Sequence, residues 1–152
     1  MTTKNNPIQE KKETSSSYTE KEKLASRYLL LSHRCFPKNM SELCLLGLIV
    51  QSPEKELRSG EIAAQLGLKT SQVAAMLKNL ESKEEIYRHE EKSDRRKIVV
   101  GLTEKGWESF LQGKEEVDHH IRRIEEELGD QSPLFFTMLK KVIALEEGLK
   151  NA

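Results

Sequence analysis

Four cations fall within six residues at Lys92-Ser-Asp-Arg-Arg-Lys97, with one carboxylate, Asp94, among them. A guanidinium is planar and permanently charged, so Arg95 and Arg96 suit phosphate oxygens and the deepened potential of a narrow A·T-rich groove, and Lys92 and Lys97 add point charges. A second polar group, Lys69-Thr-Ser-Gln72 with Ala75, Lys78 and Asn79, opens an apolar-patterned segment. Gln72 has the donor–acceptor pair that matches an adenine edge, and a small alanine can touch a thymine methyl. Lys78 and Asn79 lie further along, where phosphates are the nearer target. No arginine stands in this segment, so the strongest guanine reader is absent.

The remaining reactive residues are few. Cys44 lies in an apolar run and reads as a small buried hydrophobe. Cys35, at a helix end beside His33 and Arg34, is the one placed for a lowered thiol pKa and oxidation. His33, Cys35, Glu42, His119 and His120 lack the tight spacing of a structural metal site, and adjacent histidines on a helix point about 100° apart. No metal and no cofactor are expected. A Gly-rich phosphate loop, a nucleophile elbow and HExxH are all missing, which argues against an enzyme.

These side chains need elements to hold them. Ile62, Ala63 and Leu66, then Val73, Leu77 and Leu80, recur three and four apart and give two helices one apolar face each. Gly67 between them can take the left-handed backbone that ends a helix sharply, and Thr70 or Ser71 can cap the second. This is a helix-turn-helix, whose second helix is offered to the major groove. Ile86–Glu90 and Lys97–Leu102 read as strands joined by the basic turn, so the pair is followed by a wing. Double-stranded DNA is the ligand this layout implies.

Around it the chain is mainly helical. Residues 1–17 are polar and serine-rich and read as a disordered arm. A helix is expected over about 18–35 with Leu24, Tyr28 and Leu31 on one side, ended by Pro37. Asn39-Met-Ser-Glu42 has capping-box spacing and opens a helix through Leu43, Leu46 and Ile49 to about Gln51. Ser52–Glu56 reads as a loop. Thr103 opens a long helix with Trp107, Phe110, Val117, Ile121, Ile124 and Leu128 as an apolar seam. After Gly129–Pro133 a last helix carries Phe135, Met138, Leu139 and Val142. Packing these faces against the first helix of a second copy would bury them, which makes a homodimer the expected state.

Composition sets the remaining bounds. The chain has 152 residues and a formal net charge of zero. Charge is unevenly spread: Lys69–Gly106 holds 9 cations against 7 anions, Trp107–Ala152 holds 6 against 10. No apolar run approaches the roughly 18 residues of a membrane span, and no signal-peptide pattern opens the sequence, so a cytoplasmic protein is expected.

Four stretches together resemble the MarR family of bacterial transcriptional regulators: Gly60–Leu68, Leu80–Lys83, Ser93–Lys97 and Leu102–Gly106. The last two are the most specific. The resemblance implies an α+β winged helix-turn-helix over about 39–106 with dimerisation helices over about 18–35 and 103–150. It also implies a homodimer on pseudo-palindromic operators, acting as a repressor and released by a small ligand, an oxidant or a metal. In such proteins the residue matching Asp94 braces the wing by pairing with the one matching Arg96, which enters a minor groove. Where the family has Gly-Leu after the second helix, this chain has Glu84-Glu85. A left-handed cap without glycine costs roughly 1 kcal/mol, so a differently shaped junction is expected there. Neutral net charge and an arginine-free helix also suit an alternative, a winged-helix protein-interaction module.

Overall fold

The computed structural model describes residues 19–21, 23, 24, 27 and 39–150, and the chain divides into two units, Met1–Phe36 and Pro37–Ala152. In the first, Glu20, Lys21, Lys23, Leu24 and Arg27 are helical, and the helix opens where Lys23 N–H donates to Thr19 O at 3.0 Å. The arm over 1–17, Tyr28, Leu31, His33 and Cys35 lie outside the described residues.

The second unit runs α1 (Met40–Gln51), β1 (Glu56–Arg58), α2 (Ser59–Leu66), α3 (Thr70–Ser82), β2 (Ile86–Glu91), β3 (Asp94–Leu102), α4 (Glu104–Leu128), a 3-10 turn and α5 (Ser132–Lys150). It is mainly helical, with one small antiparallel sheet of order β1-β3-β2. The apolar stripes read from sequence meet in one core: Leu45, Leu46 and Ile49 from α1, Ile62 and Ala63 from α2, Val73, Leu77 and Leu80 from α3. Ile86, Val100 and Leu102 close it from the sheet. Gly67 turns the chain between α2 and α3 at φ 61°, ψ 32°, a left-handed cap that glycine takes without strain.

Four expectations are corrected. The segment read as a loop ends in a strand, β1, whose three residues pair with Val99–Gly101 of β3. Three residues are too few for a periodicity to show. Asn39 does precede α1, but its side chain makes no cap, and Glu42 instead turns inward to Asn79 and Lys83. Two partners from α3 and its end outcompete one local backbone amide. Cys44 is exposed rather than in the core, because the buried phase of α1 runs through Glu42, Leu45, Leu46 and Ile49. Its partial burial still pushes the thiol up, which leaves less thiolate to oxidise. Trp107 and Phe110 pack on this core rather than on a seam, ring edge to ring face at 6.4 Å.

The junction after α3 resolves differently from expectation. Glu84 adopts the left-handed conformation, φ 61°, without being glycine. Two bonds hold it there, Glu84 N–H to Glu81 O and Glu85 N–H to Leu80 O, each 2.9 Å, the pattern of a Schellman cap. The hydroxyl of Thr103 adds a bond to Glu84 O at 2.6 Å. The backbone path is the glycine path, with its strain retained. Glu84→Gly is therefore expected to raise stability by about 0.5–1 kcal/mol, the strain relieved less the entropy glycine adds to the unfolded chain. Thermal unfolding of the two proteins checks this, and a lower midpoint for the variant would refute it.

Beyond Phe110, α4 and α5 carry their apolar residues differently. Val117, Ile121, Ile124 and Leu128 on α4, with Phe135 and Leu139 on α5, are half-buried. Met138 and Val142 are more than half exposed, as are Leu111, Leu134 and Leu145. Leu24 of the first unit is 65% exposed.

Candidate nucleic-acid interface

Helix α3 presents its first turns outward. Val73, Leu77 and Leu80 are inside the core, so positions 70, 71, 72, 74, 75 and 78 are turned to solvent, and Thr70, Ser71, Gln72, Ala75 and Lys78 are all exposed. The expected cap is not Thr70 or Ser71. The capping position is Lys69, whose side chain has no acceptor to offer, and its backbone N–H is taken by Gln72 Oε1 at 3.0 Å. Both hydroxyls therefore stay on the outer face. Gln72 keeps its NH₂ for a base edge, but a bidentate grip on adenine requires the Lys69 bond to open. Asn79 departs further from expectation, since its NH₂ donates to Glu42 Oε1 and is engaged within the protein.

The wing tip is a two-residue turn, Lys92-Ser93, between paired Glu91 and Asp94. Register then jumps: Glu90 faces Ile98, so Arg95, Arg96 and Lys97 arch out with nothing opposite them on β2. Asp94 organises the arch. Its Oδ1 accepts from Arg96 N–H at 3.1 Å and lies 3.5 Å from Arg96 Nε, while Oδ2 is 4.0 Å from Lys97 Nζ. The Arg96 side chain is 95% exposed. At the wing's base Arg58 grips Glu91 with two bonds, Nε to Oε2 at 3.0 Å and Nη2 to Oε1 at 2.6 Å, which holds the Glu91 carboxyl below its usual range. This bidentate pair pins β1 to the wing and neutralises one of its acids.

Several contributors were not anticipated. Tyr87 packs over Gly101, its cross-strand partner, where any Cβ would stand 2.3 Å from the ring. Its hydroxyl donates to Glu56 Oε1 at 2.8 Å, and His89 stacks beside it with Nε2 3.1 Å from the same oxygen. Arg88 points the other way, to Glu81 Oε2 at 3.1 Å. Strand alternation carries this signal: Ile86 and Arg88 share one face, Tyr87 and His89 the other. Glu56 comes from the strand that sequence periodicity did not show.

Both ring nitrogens of His89 face acceptors, Glu90 O at 3.0 Å and the Glu56 carboxylate, and these raise its pKa above the ordinary histidine value. Because the folded value is raised, the contribution is present below the ordinary value and is lost as pH rises through the raised one. His89 ring resonances are expected to titrate above the ordinary histidine value, and Glu56→Gln to move that midpoint down. An unchanged midpoint in the variant would dismiss the contact.

The geometry defines a winged helix-turn-helix, and comparison with known proteins agrees. The PcaV transcriptional regulator of Streptomyces coelicolor, solved with its natural ligand, superposes with a TM-score of 0.70 at 17% identity, covering 83% of this chain and 93% of that one. MepR of S. aureus, solved with DNA, gives 0.70 at 21% identity, covering 84% and 98%. Sco3205, a MarR family regulator of S. coelicolor also solved with DNA, gives 0.65 at 20%, covering 84% and 88%. No curated protein sequence matches. Residues 38–112 match the family model described as transcriptional regulator SarA/Rot. Over helix-turn-helix and wing the chain is thus similar to transcriptional regulators of the SarA/Rot type, and its fold is the MarR-like winged helix. Among the described residues no cluster of ligands suits a metal ion, and no helix is long and apolar enough to cross a membrane.

Proposed function

We propose that this protein is a cytoplasmic repressor that binds pseudo-palindromic operators as a homodimer. One observation carries the reading: the exposed first turns of α3 and the Asp94-braced arch of Arg95, Arg96 and Lys97 belong to one rigidly cored unit. Two such units related by a twofold axis would present two helices to successive major grooves and two wings to the flanking minor grooves. Lys69, Lys78, Lys92, Arg95 and Lys97 supply phosphate contacts, Thr70, Ser71, Gln72 and Ala75 face base edges, and Asp94 aims Arg96. Repression follows from occupancy, since a bound dimer excludes other proteins from its site. The relatives solved with DNA support the same use of the fold.

The dimer reading rests on apolar surface. Leu134, Met138, Val142 and Leu145 on α5 are each more than half exposed, an amount of uncovered apolar side chain that a partner helix would remove from water. Ile121 tests the neighbouring α4 face. A charge buried there without a partner is costly, so Ile121→Asp is expected to dissociate the dimer in sedimentation and weaken duplex binding with it. A variant that stays dimeric would take α4 out of the interface.

Release by a small effector would act at the cleft lined by Glu42, Leu43, Leu46, Lys83, Ser109 and Gly113, whose volume is about 180 Å³. Ligand pockets are usually nearer about 300–1,000 Å³, so a ligand must open it. Opening would pull on Glu42 and Lys83, and through them on the end of α3. Titration of the protein onto duplex from its own upstream region and onto random duplex, over a salt series, tests the whole reading. Equal affinity for both would favour the interaction-module alternative.

A further inference from the structure

Among the described residues, Arg88 holds the buried side-chain donor that is left unpaired. It lies on β2 opposite Val100, on the inner face of the sheet. There it lines a cleft of about 190 Å³ with Ser59, Gly60, Thr70, Ala74 and Ile98, between the flank of α3 and the wing. A guanidinium has five N–H donors in a fixed fork. Here Nη2 meets Glu81 Oε2 at 3.1 Å, while the buried Nε has no hydrogen-bond partner among the described residues. Glu81 itself is half exposed, so the pair is open to exchange.

The place of this cleft gives the unpaired donor a ligand. When a helix occupies a major groove and a wing the minor groove beside it, one sugar–phosphate strand runs between them, because that strand is the wall the two grooves share. Thr70, Ala74 and Leu77 lie three and four apart on the stripe of α3 that lines the cleft, and Glu81 continues the stripe one turn beyond it. A phosphate of the shared strand would enter there.

We propose that Arg88 is a clamp for that phosphate and that Glu81 holds it in reserve in the free protein. The inference rests on the DNA-binding reading above. Phosphate oxygens would replace the Glu81 carboxylate on the fork and, as the side chain swings outward and uncovers Nε, supply the acceptor that Nε lacks, the planar two-point geometry arginine favours with phosphate. Glu81 competes with the phosphate for the same donors, so it lowers affinity for any duplex without touching a base.

Full-length protein titrated onto duplex from its own upstream region and onto random duplex, at several salt concentrations, decides this. Arg88→Gln is expected to weaken binding to both duplexes and to lower the salt slope by about 0.9 per half-site, the value of one lost phosphate contact. Glu81→Gln is expected to strengthen binding several-fold, and the gain should vanish in the Arg88→Gln background. A merely structural ion pair predicts the opposite sign, since losing either partner would then weaken binding. Glu81 is on the surface of α3, so this variant folds independently of any role for Arg88. Weaker binding by Glu81→Gln, or an equal gain in both backgrounds, overturns the clamp while leaving DNA binding intact. A wild-type chain without salt-dependent affinity for either duplex overturns both readings, and that result precedes any variant.

Discussion

Gly106→Ala is expected to lower the unfolding free energy by about 3 kcal/mol or more, since of the glycines it is the one whose added methyl would meet the closest atom. A Cβ at Gly106 would stand 1.8 Å from Glu85 O and 2.9 Å from Glu85 C. Both are backbone atoms, so no rotamer change relieves the clash. Helix α4 would have to withdraw. Around this point the first turn of α4 is fastened by Thr103 N–H to Glu85 O at 3.1 Å, Gly106 N–H to Thr103 Oγ1 at 3.1 Å, and the Thr103 hydroxyl to Glu84 O. Withdrawal loses bonds worth about 1 kcal/mol each and lifts Trp107 and Phe110 from the core. Against a total stability of about 5–15 kcal/mol that is a large fraction. Gly60→Ala is the control, since a Cβ there meets nothing within 4 Å. Chemical denaturation of both variants checks the expectation. A Gly106→Ala midpoint matching wild type would mean that α4 does not dock through this contact.

The contrast between those two glycines shows what a sequence displays and what it hides. Helix faces are local: Ile62, Val73, Leu77 and Leu80 announce their burial by spacing alone, and the structure buries all four. Gly67 and Thr103 are also local, because a cap depends on neighbours within one turn, and both occupy the capping positions expected. The contacts that shape the interface are not local. Glu42 reaches residues 37 and 41 positions away, which overrides the capping-box spacing around Asn39. Glu56 meets Tyr87 and His89 across the sheet, from a strand of three residues. Glu84 is instructive in the other direction. Its residue type argued against a left-handed cap, yet the surrounding bonds from Glu81, Leu80 and Thr103 enforce one. Propensity lost to tertiary context there, at a cost the Glu84→Gly variant would recover.

Arg96→Ala should weaken binding to operator and random duplex alike, by about tenfold or more for a dimer that loses one charge-assisted contact per wing. The side chain is 95% exposed and, among the described residues, is held by Asp94, so its removal leaves the core untouched. Stability should stay level while the salt slope flattens by about 0.9 per wing, with A·T-rich flanks suffering most. Gln72→Ala should behave otherwise. It removes a group aimed at a base edge, so the salt slope should persist while about 1–3 kcal/mol of discrimination disappears at one base pair per half-site. Gln72 also accepts from Lys69 N–H, so its loss should cost about 0.5–2 kcal/mol of stability, which Arg96→Ala should not. The two variants are thus separated by three readings: salt slope, sequence preference and melting temperature. If Arg96→Ala leaves both affinity and slope unchanged, the braced arch is a solvated hairpin and the wing makes no DNA contact. If Gln72→Ala shifts only the melting temperature, the residue is a cap and nothing more, and sequence must be read by Thr70, Ser71 or the shape of the duplex.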